Sequence, residues 1–123
     1  MNRPVTRESY ANRLNRVAEH IWAHLDEPLD LSALAQVACL SPYHFHRIYR
    51  AMIGETVIET VSRLRLQRAS MELARTPAPI SEIARRAGYA SAPAFTRAFR
   101  AAYDLAPAAF RAARRAQPGA NPM

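Results

Sequence analysis

The chain reads as all-α: seven helices, with two helix-turn-helix subdomains joined by a long linker helix. Three observations lead there. Ala, Leu, Arg and Glu dominate the segments between prolines, and alternating β-branched runs are missing. Apolar residues recur at steps of three and four. A stretch beginning at Leu31 is repeated from Ile80. At 123 residues, half of them hydrophobic, the chain has the size of one domain or two very small ones and enough apolar surface for a core.

The first helix is expected from about Ser9 to Leu25, where Tyr10, Leu14, Val17, Ile21 and Leu25 form one apolar stripe that Trp22 widens into the core. Asp26, Glu27 and Pro28 stop it. A short helix from Leu31 to Ala38 follows, with Asp30 or Ser32 as N-cap. Ser41 and Pro42 supply an N-cap and an N1 proline for a third helix, which runs to Ile53 before Gly54. The linker helix runs from Val57 to Arg75 and ends at Thr76, Pro77, Ala78 and Pro79. The next two helices are the repeat. Ser32, Leu34, Ala35 and Ala38 match Ser81, Ile83, Ala84 and Ala87 at an offset of 49; after one inserted residue, Phe45, Arg47, Tyr49 and Arg50 match Phe95, Arg97, Phe99 and Arg100 at 50. A last helix is expected from Pro107 to about Ala113, ahead of a disordered tail. The domain boundaries that follow are 1–56, 57–75, 76–113 and 114–123.

All 17 cationic residues are Arg, against 10 acidic ones, for a net charge of +7. A pI near 10.7 points to a polyanionic partner, and Arg is the side chain that forks onto phosphate or guanine edges. Three glycines, Gly54, Gly88 and Gly119, write neither a P-loop nor a GxGxxG turn, so nucleotide-driven chemistry drops out. The single Cys39 forms no internal disulfide and, with no Cys cluster, no zinc ribbon. The N-terminus lacks the apolar stretch of a signal peptide and no run is long enough for a membrane span, so the expected compartment is the cytoplasm.

In the first unit Phe45, Ile48, Tyr49 and Met52 form a packing face, and Tyr43, His46, Arg47 and Arg50 form the opposite row. In the second, Phe95, Ala98, Phe99 and Ala102 form the back, and Pro93, Thr96, Arg97 and Arg100 the front. An isolated amphipathic stripe is usually a solvated surface. Two stripes with Arg at matched outward positions, in a chain this basic, point instead to helices that read a major groove. Both helices start at a serine, Ser41 or Ser91, whose positive dipole end suits phosphate. About 19 residues of linker helix span roughly 28 Å, close to the roughly 34 Å between successive major grooves on one DNA face, so a single chain suffices and no dimer is required.

SPYHFHRIYRAMIGET, RLRLQRA and SEIARRAGYASAPAFTRAFRAAYDLAPAAFR resemble the double helix-turn-helix DNA-binding domain of the AraC/XylS family of bacterial transcription regulators. The likeness covers about Glu8 to Arg111. It implies a seven-helix protein that binds and bends a non-palindromic promoter site on double-stranded DNA and contacts RNA polymerase as an activator. It places base-reading positions on Tyr43, His46 and Arg47, and on Pro93, Thr96 and Arg97. The tail ARRAQPGANPM resembles a linker after which related proteins often carry a separate C-terminal effector-binding domain, so the resemblance is compatible both with a complete regulator and with the DNA-binding end of a longer one. Two departures stand out: Cys39 takes the turn position that Gly88 holds in the second unit, and Asp104 stands where the first has Gly54. Ala92, Pro93 and Ala94 leave the first turn of the second reading helix without hydrogen-bonding side chains, so sequence discrimination is expected mainly under the first unit.

Other readings carry less. His44 and His46 lie about 200° apart on a helix and cannot share a metal; His20 and His24, at i and i+4, have no third ligand, so no metal or cofactor is expected. Cys39 is expected to be inert filler between two helices rather than a redox sensor. No carboxylate pair or nucleophile with a base supports catalysis. The competing function is a protein-interaction or sensing adaptor whose basic face docks an acidic partner. A membrane-surface module is weaker, because the large apolar side chains are all expected in the core.

Overall fold

The computed structural model describes residues 7–116, with side chains from Ser9 onward. Among them are seven helices and no strand: α1 (Arg7–Ala23), α2 (Leu31–Val37), α3 (Pro42–Ile53), α4 (Val57–Arg75), α5 (Ile80–Arg86), α6 (Ala92–Tyr103) and α7 (Pro107–Arg115). The fold has the expected elements in the expected order. The chain divides into two compact units between Leu64 and Arg65, within α4.

In the first unit the α1 stripe of Leu14, Val17 and Ile21, with Leu25 beyond the helix end, closes over Leu34, Ala35 and Ala38 of the α2 segment and over Phe45 and Tyr49 of α3. Val57 and Val61, from the first half of α4, complete that core. In the second unit Leu66, Ala69 and Leu73 of α4 do for Ile83, Ala84, Ala87, Phe95 and Phe99 what α1 does for the first. The linker helix therefore carries two apolar stripes, one for each core.

The helix starts follow from their caps. Asp30 accepts from Ala33 N at 2.8 Å, Ser41 from His44 N at 3.3 Å and Ser91 from Ala94 N at 3.2 Å, each satisfying a backbone donor of a first turn. At α4, Thr56 and Glu59 form a reciprocal capping box: Thr56 N donates to Glu59 Oε1 at 2.9 Å and Glu59 N to Thr56 Oγ1 at 3.1 Å. The Thr-x-x-Glu spacing announces this box, which the apolar periodicity alone does not reveal.

The turns before α3 and α6 share one geometry. Leu40 N donates to Ala35 O at 3.0 Å and Tyr89 N to Ala84 O at 3.1 Å, each closing a helix end through a left-handed residue. Those residues are Cys39 at φ 60° and Gly88 at φ 90°. A Cβ on Gly88 would also meet Arg65 Nη1 at 3.2 Å. At the far ends of α3 and α6, Gly54 and Asp104 are left-handed caps at φ 88° and 66°.

Several expectations are corrected. Trp22 is 44% exposed, because it sits about 100° around α1 from Ile21 and falls off the buried stripe. Cys39 is exposed rather than filler; Ala38 beside it is the buried small residue. Ala102 faces outward, and Tyr103 joins the second core by stacking on Phe99 with ring centroids 4.6 Å apart. Helix α1 ends at Ala23, two residues early, though Leu25 stays buried. Helix α7 reaches Arg115, so Arg114 and Arg115 are helical rather than tail; the remaining expected tail, 117–123, lies outside the described residues. Large apolar side chains are not all in the core, since Trp22, Ile53, Ile58 and Leu105 are exposed. Among the described residues, no helix is long and apolar enough to cross a membrane.

Candidate nucleic-acid interface

Helix α3 is held from behind and free in front. Phe45 and Tyr49 are buried, with ring centroids 5.6 Å apart, and Ile48 and Met52 are partly buried against the same core. Tyr10 of α1 braces the helix start, its hydroxyl 3.4 Å from His44 Nε2 and its ring edge-on to the imidazole. His46, Arg47 and Arg50 are exposed, and Tyr43 is 73% exposed, so the predicted row is presented to solvent along one face. Ser41 is also exposed and uses its Oγ as the cap acceptor. Tyr43 and Arg47 come together, with the guanidinium carbon over the ring 5.7 Å from its centroid.

A polar chain locks the back of α3 to α4. Tyr49 Oη donates to Thr60 Oγ1 at 2.7 Å, Thr60 Oγ1 donates to Glu55 Oε2 at 2.5 Å, and Arg63 Nη2 donates to the same carboxylate oxygen at 2.8 Å. Arg63 first and Thr60 second hold the Glu55 carboxyl below the usual carboxylate range, against a smaller opposing effect of burial. Burial pushes the Tyr49 phenol up.

Helix α6 has the same plan with different chemistry. Phe95 and Phe99 are buried, and Tyr89, Tyr103 and Phe110 complete an aromatic cluster around them. In front, Pro93, Arg97 and Arg100 are exposed and Thr96 is half-buried. Ser91 is exposed and engaged as a cap, like Ser41.

Two features escape sequence reasoning. One is the polar chain, whose members are scattered over 15 positions from Tyr49 to Arg63. The other is Arg111, which donates to Leu73 O at 3.0 Å, Thr76 O at 3.0 Å and Ala78 O at 2.7 Å. It satisfies carbonyls at the end of α4 and in the following turn, a structural use of an arginine that composition alone assigns to charge. Arg115 joins it on Thr76 O at 2.6 Å.

His20 and His24 stack at 4.0 Å, with His24 Nδ1 2.7 Å from His20 O. Among the described residues, no group of three His, Cys, Asp or Glu is placed to hold a metal ion.

Comparison with known proteins gives this geometry a family. The Helix-turn-helix domain family matches residues 34–113. Regulatory protein SoxS of Salmonella typhimurium is 32% identical over 89 residues, which cover 72% of this chain and 83% of SoxS. The bifunctional transcriptional activator/DNA repair enzyme AdaA of Bacillus subtilis is 35% identical over 79 residues; the match covers 64% of this chain and only 37% of AdaA. The crystal structure of an AraC-type transcriptional regulator from Chromobacterium violaceum superposes with a TM-score of 0.83 at 27% identity, covering 92% of this chain and all 100% of that one. The DNA-binding domain of AdpA, solved with a target DNA, gives 0.78 at 30% identity, covering 89% and 98%. The chain belongs to the AraC-type helix-turn-helix family of transcription regulators.

Proposed function

We propose that this chain is a sequence-specific DNA-binding activator whose helices α3 and α6 enter successive major grooves of one promoter site. The observation that carries this reading is the duplication itself. Two helices with buried aromatic backs each present a matched pair of exposed arginines, Arg47 and Arg50 or Arg97 and Arg100. Likeness to the AdpA domain, solved with its target DNA, supports the same reading. In the first unit Arg47 forks onto guanine, His46 and Tyr43 contact neighbouring bases, and Arg50 sits on phosphate. In the second, Thr96 and Arg97 reach bases, and Arg100 holds the backbone. Ser41 and Ser91 act through the helix starts they cap, and Pro93 fits against the groove without a hydrogen bond.

The activity is regulatory rather than catalytic, with RNA polymerase as protein partner, the cytoplasm as compartment and no resident cofactor. One chain is sufficient to occupy the site. The test is selection of bound duplexes from a random pool, then footprinting. A unique motif spanning two groove turns, with affinity falling steeply in salt and Arg47→Ala relaxing one base pair, supports the reading. An adaptor for an acidic protein would select no motif.

A further inference from the structure

We propose that Tyr43 is a positioning residue for Arg47: on the reading that α3 enters the groove, its ring holds the guanidinium in place before DNA arrives. Arg47 follows Tyr43 by four residues, so both lie on one face of α3 a turn apart. A long helical side chain leans toward the N-terminal turn, which carries the Arg47 guanidinium back over Tyr43. The guanidinium carbon lies 5.7 Å from the ring centroid, within the roughly 6 Å reach of a cation–π contact.

Three further observations fit a positioning role. Tyr43 is 73% exposed, so the ring contributes little to the core, while the aromatics that build the back of the helix, Phe45 and Tyr49, are buried. Helix α3 contains no carboxylate, so no acid on this helix competes for Arg47. The contact also draws on the charge of the guanidinium and uses none of its N–H donors, which leaves the fork available for a base edge. Arginine is rotamer-rich, and ordering it in advance removes a cost otherwise met on binding. Helix α6 lacks the device, since the residue four before Arg97 is Pro93.

The experiment has two arms. In the free protein, side-chain proton resonances of Arg47 are expected to carry a ring-current shift that Tyr43→Phe keeps and Tyr43→Leu abolishes. On a selected operator, Tyr43→Leu is expected to relax preference at the same base pair as Arg47→Ala. A double-mutant cycle should give a coupling of about two- to five-fold in affinity, the range of an exposed cation–π contact. Tyr43→Phe should keep the parent's preference at the Arg47 base pair, because the ring remains, and any loss from the missing hydroxyl should fall on a neighbouring base pair. Additive effects, or a Phe variant that relaxes the Arg47 base pair as far as Leu does, overturn the positioning role and leave base reading by Arg47 intact. If Arg47→Ala weakens all duplexes equally, the base-reading assignment itself fails and takes the proposal with it.

Discussion

The two units solve one packing problem with opposite chemistry. In both, the reading helix must be fixed to the helix that follows it across a left-handed corner, Gly54 in one and Asp104 in the other. At the offset of 50, Tyr49 corresponds to Phe99, Thr60 to Phe110, Glu55 to Leu105 and Arg63 to Ala113. The first unit closes the corner with a hydrogen-bonded chain from Tyr49 to Arg63. The second closes it with rings: Phe99 lies edge-on to Phe110 at 5.3 Å and stacks on Tyr103 at 4.6 Å. The lesson is that the backbone corner is the shared element, and either directional bonds or aromatic area can hold it.

Breaking the aromatic lock should have the largest effect. Phe99 is fully buried, and Phe99→Ala removes its contacts with Phe95, Tyr103 and Phe110, an expected loss of about 3–5 kcal/mol. The polar lock is weaker per residue: Thr60→Ala strands the Tyr49 hydroxyl and one Glu55 bond, for about 1–3 kcal/mol. Denaturant unfolding of both variants measures the contrast. A Thr60 variant as damaged as the Phe99 variant would show that the hydrogen-bonded chain, not area, dominates.

Arg111 sharpens the comparison, because its counterpart in the first unit is the buried Val61. One corner uses an aliphatic side chain where the other uses a guanidinium on three carbonyls. Arg111→Leu keeps apolar volume and deletes the donors, with an expected cost of about 1.5–3 kcal/mol, the range for bonds to a charged group. Its salt-dependence of DNA binding should stay unchanged, whereas replacing Arg97 and Arg100 should flatten the slope. A flattened slope for Arg111→Leu at intact stability would assign it to phosphate instead.

These particulars show what the sequence makes legible. Helices α3 and α4 have their expected ends, because Ser41, Pro42, Gly54 and Pro77 are local signals read within a turn. The repeat exposes the outward rows for the same reason, as helical spacing determines a face. Trp22 departs from the expected core because burial at the margin of a stripe depends on what packs against α1. Arg111 is not legible because its partners lie 33 to 38 residues away, and the Tyr49 chain because its links, 5, 8 and 11 residues long, cross a corner and follow no helical spacing.

The front faces extend the comparison to recognition. Tyr43, His46 and Arg47 offer donors, an acceptor and an aromatic edge, while Ala92, Pro93 and Ala94 open α6 with none. Base-pair substitutions beneath α3 are expected to cost about 1–3 kcal/mol each, with clearly smaller costs beneath α6, where phosphate contacts and DNA shape supply the energy. A substitution scan oriented by footprinting decides it. Equal or larger penalties in the second half would move the reading function to α6.

The smallest expected effect is a pH dependence confined to the first unit. Arg63 and Thr60 hold the folded-state affinity of Glu55 for a proton below that of an unfolded chain. A depressed carboxylate contributes stability that is complete above the ordinary carboxylate range, declines as pH falls through it and is gone below the depressed value. Arg63 is 57% and Glu55 25% exposed, so solvent screens the pair, and its contribution belongs with exposed ion pairs at about 0.2–1 kcal/mol. The second unit has Leu105 at this position and gains nothing from the same titration. Glu55→Gln should therefore lower the unfolding midpoint at neutral pH, and its difference from the parent should vanish on acidification. A gap that persists unchanged into acid would mean that Glu55 acts through shape and hydrogen bonding alone, with its charge idle.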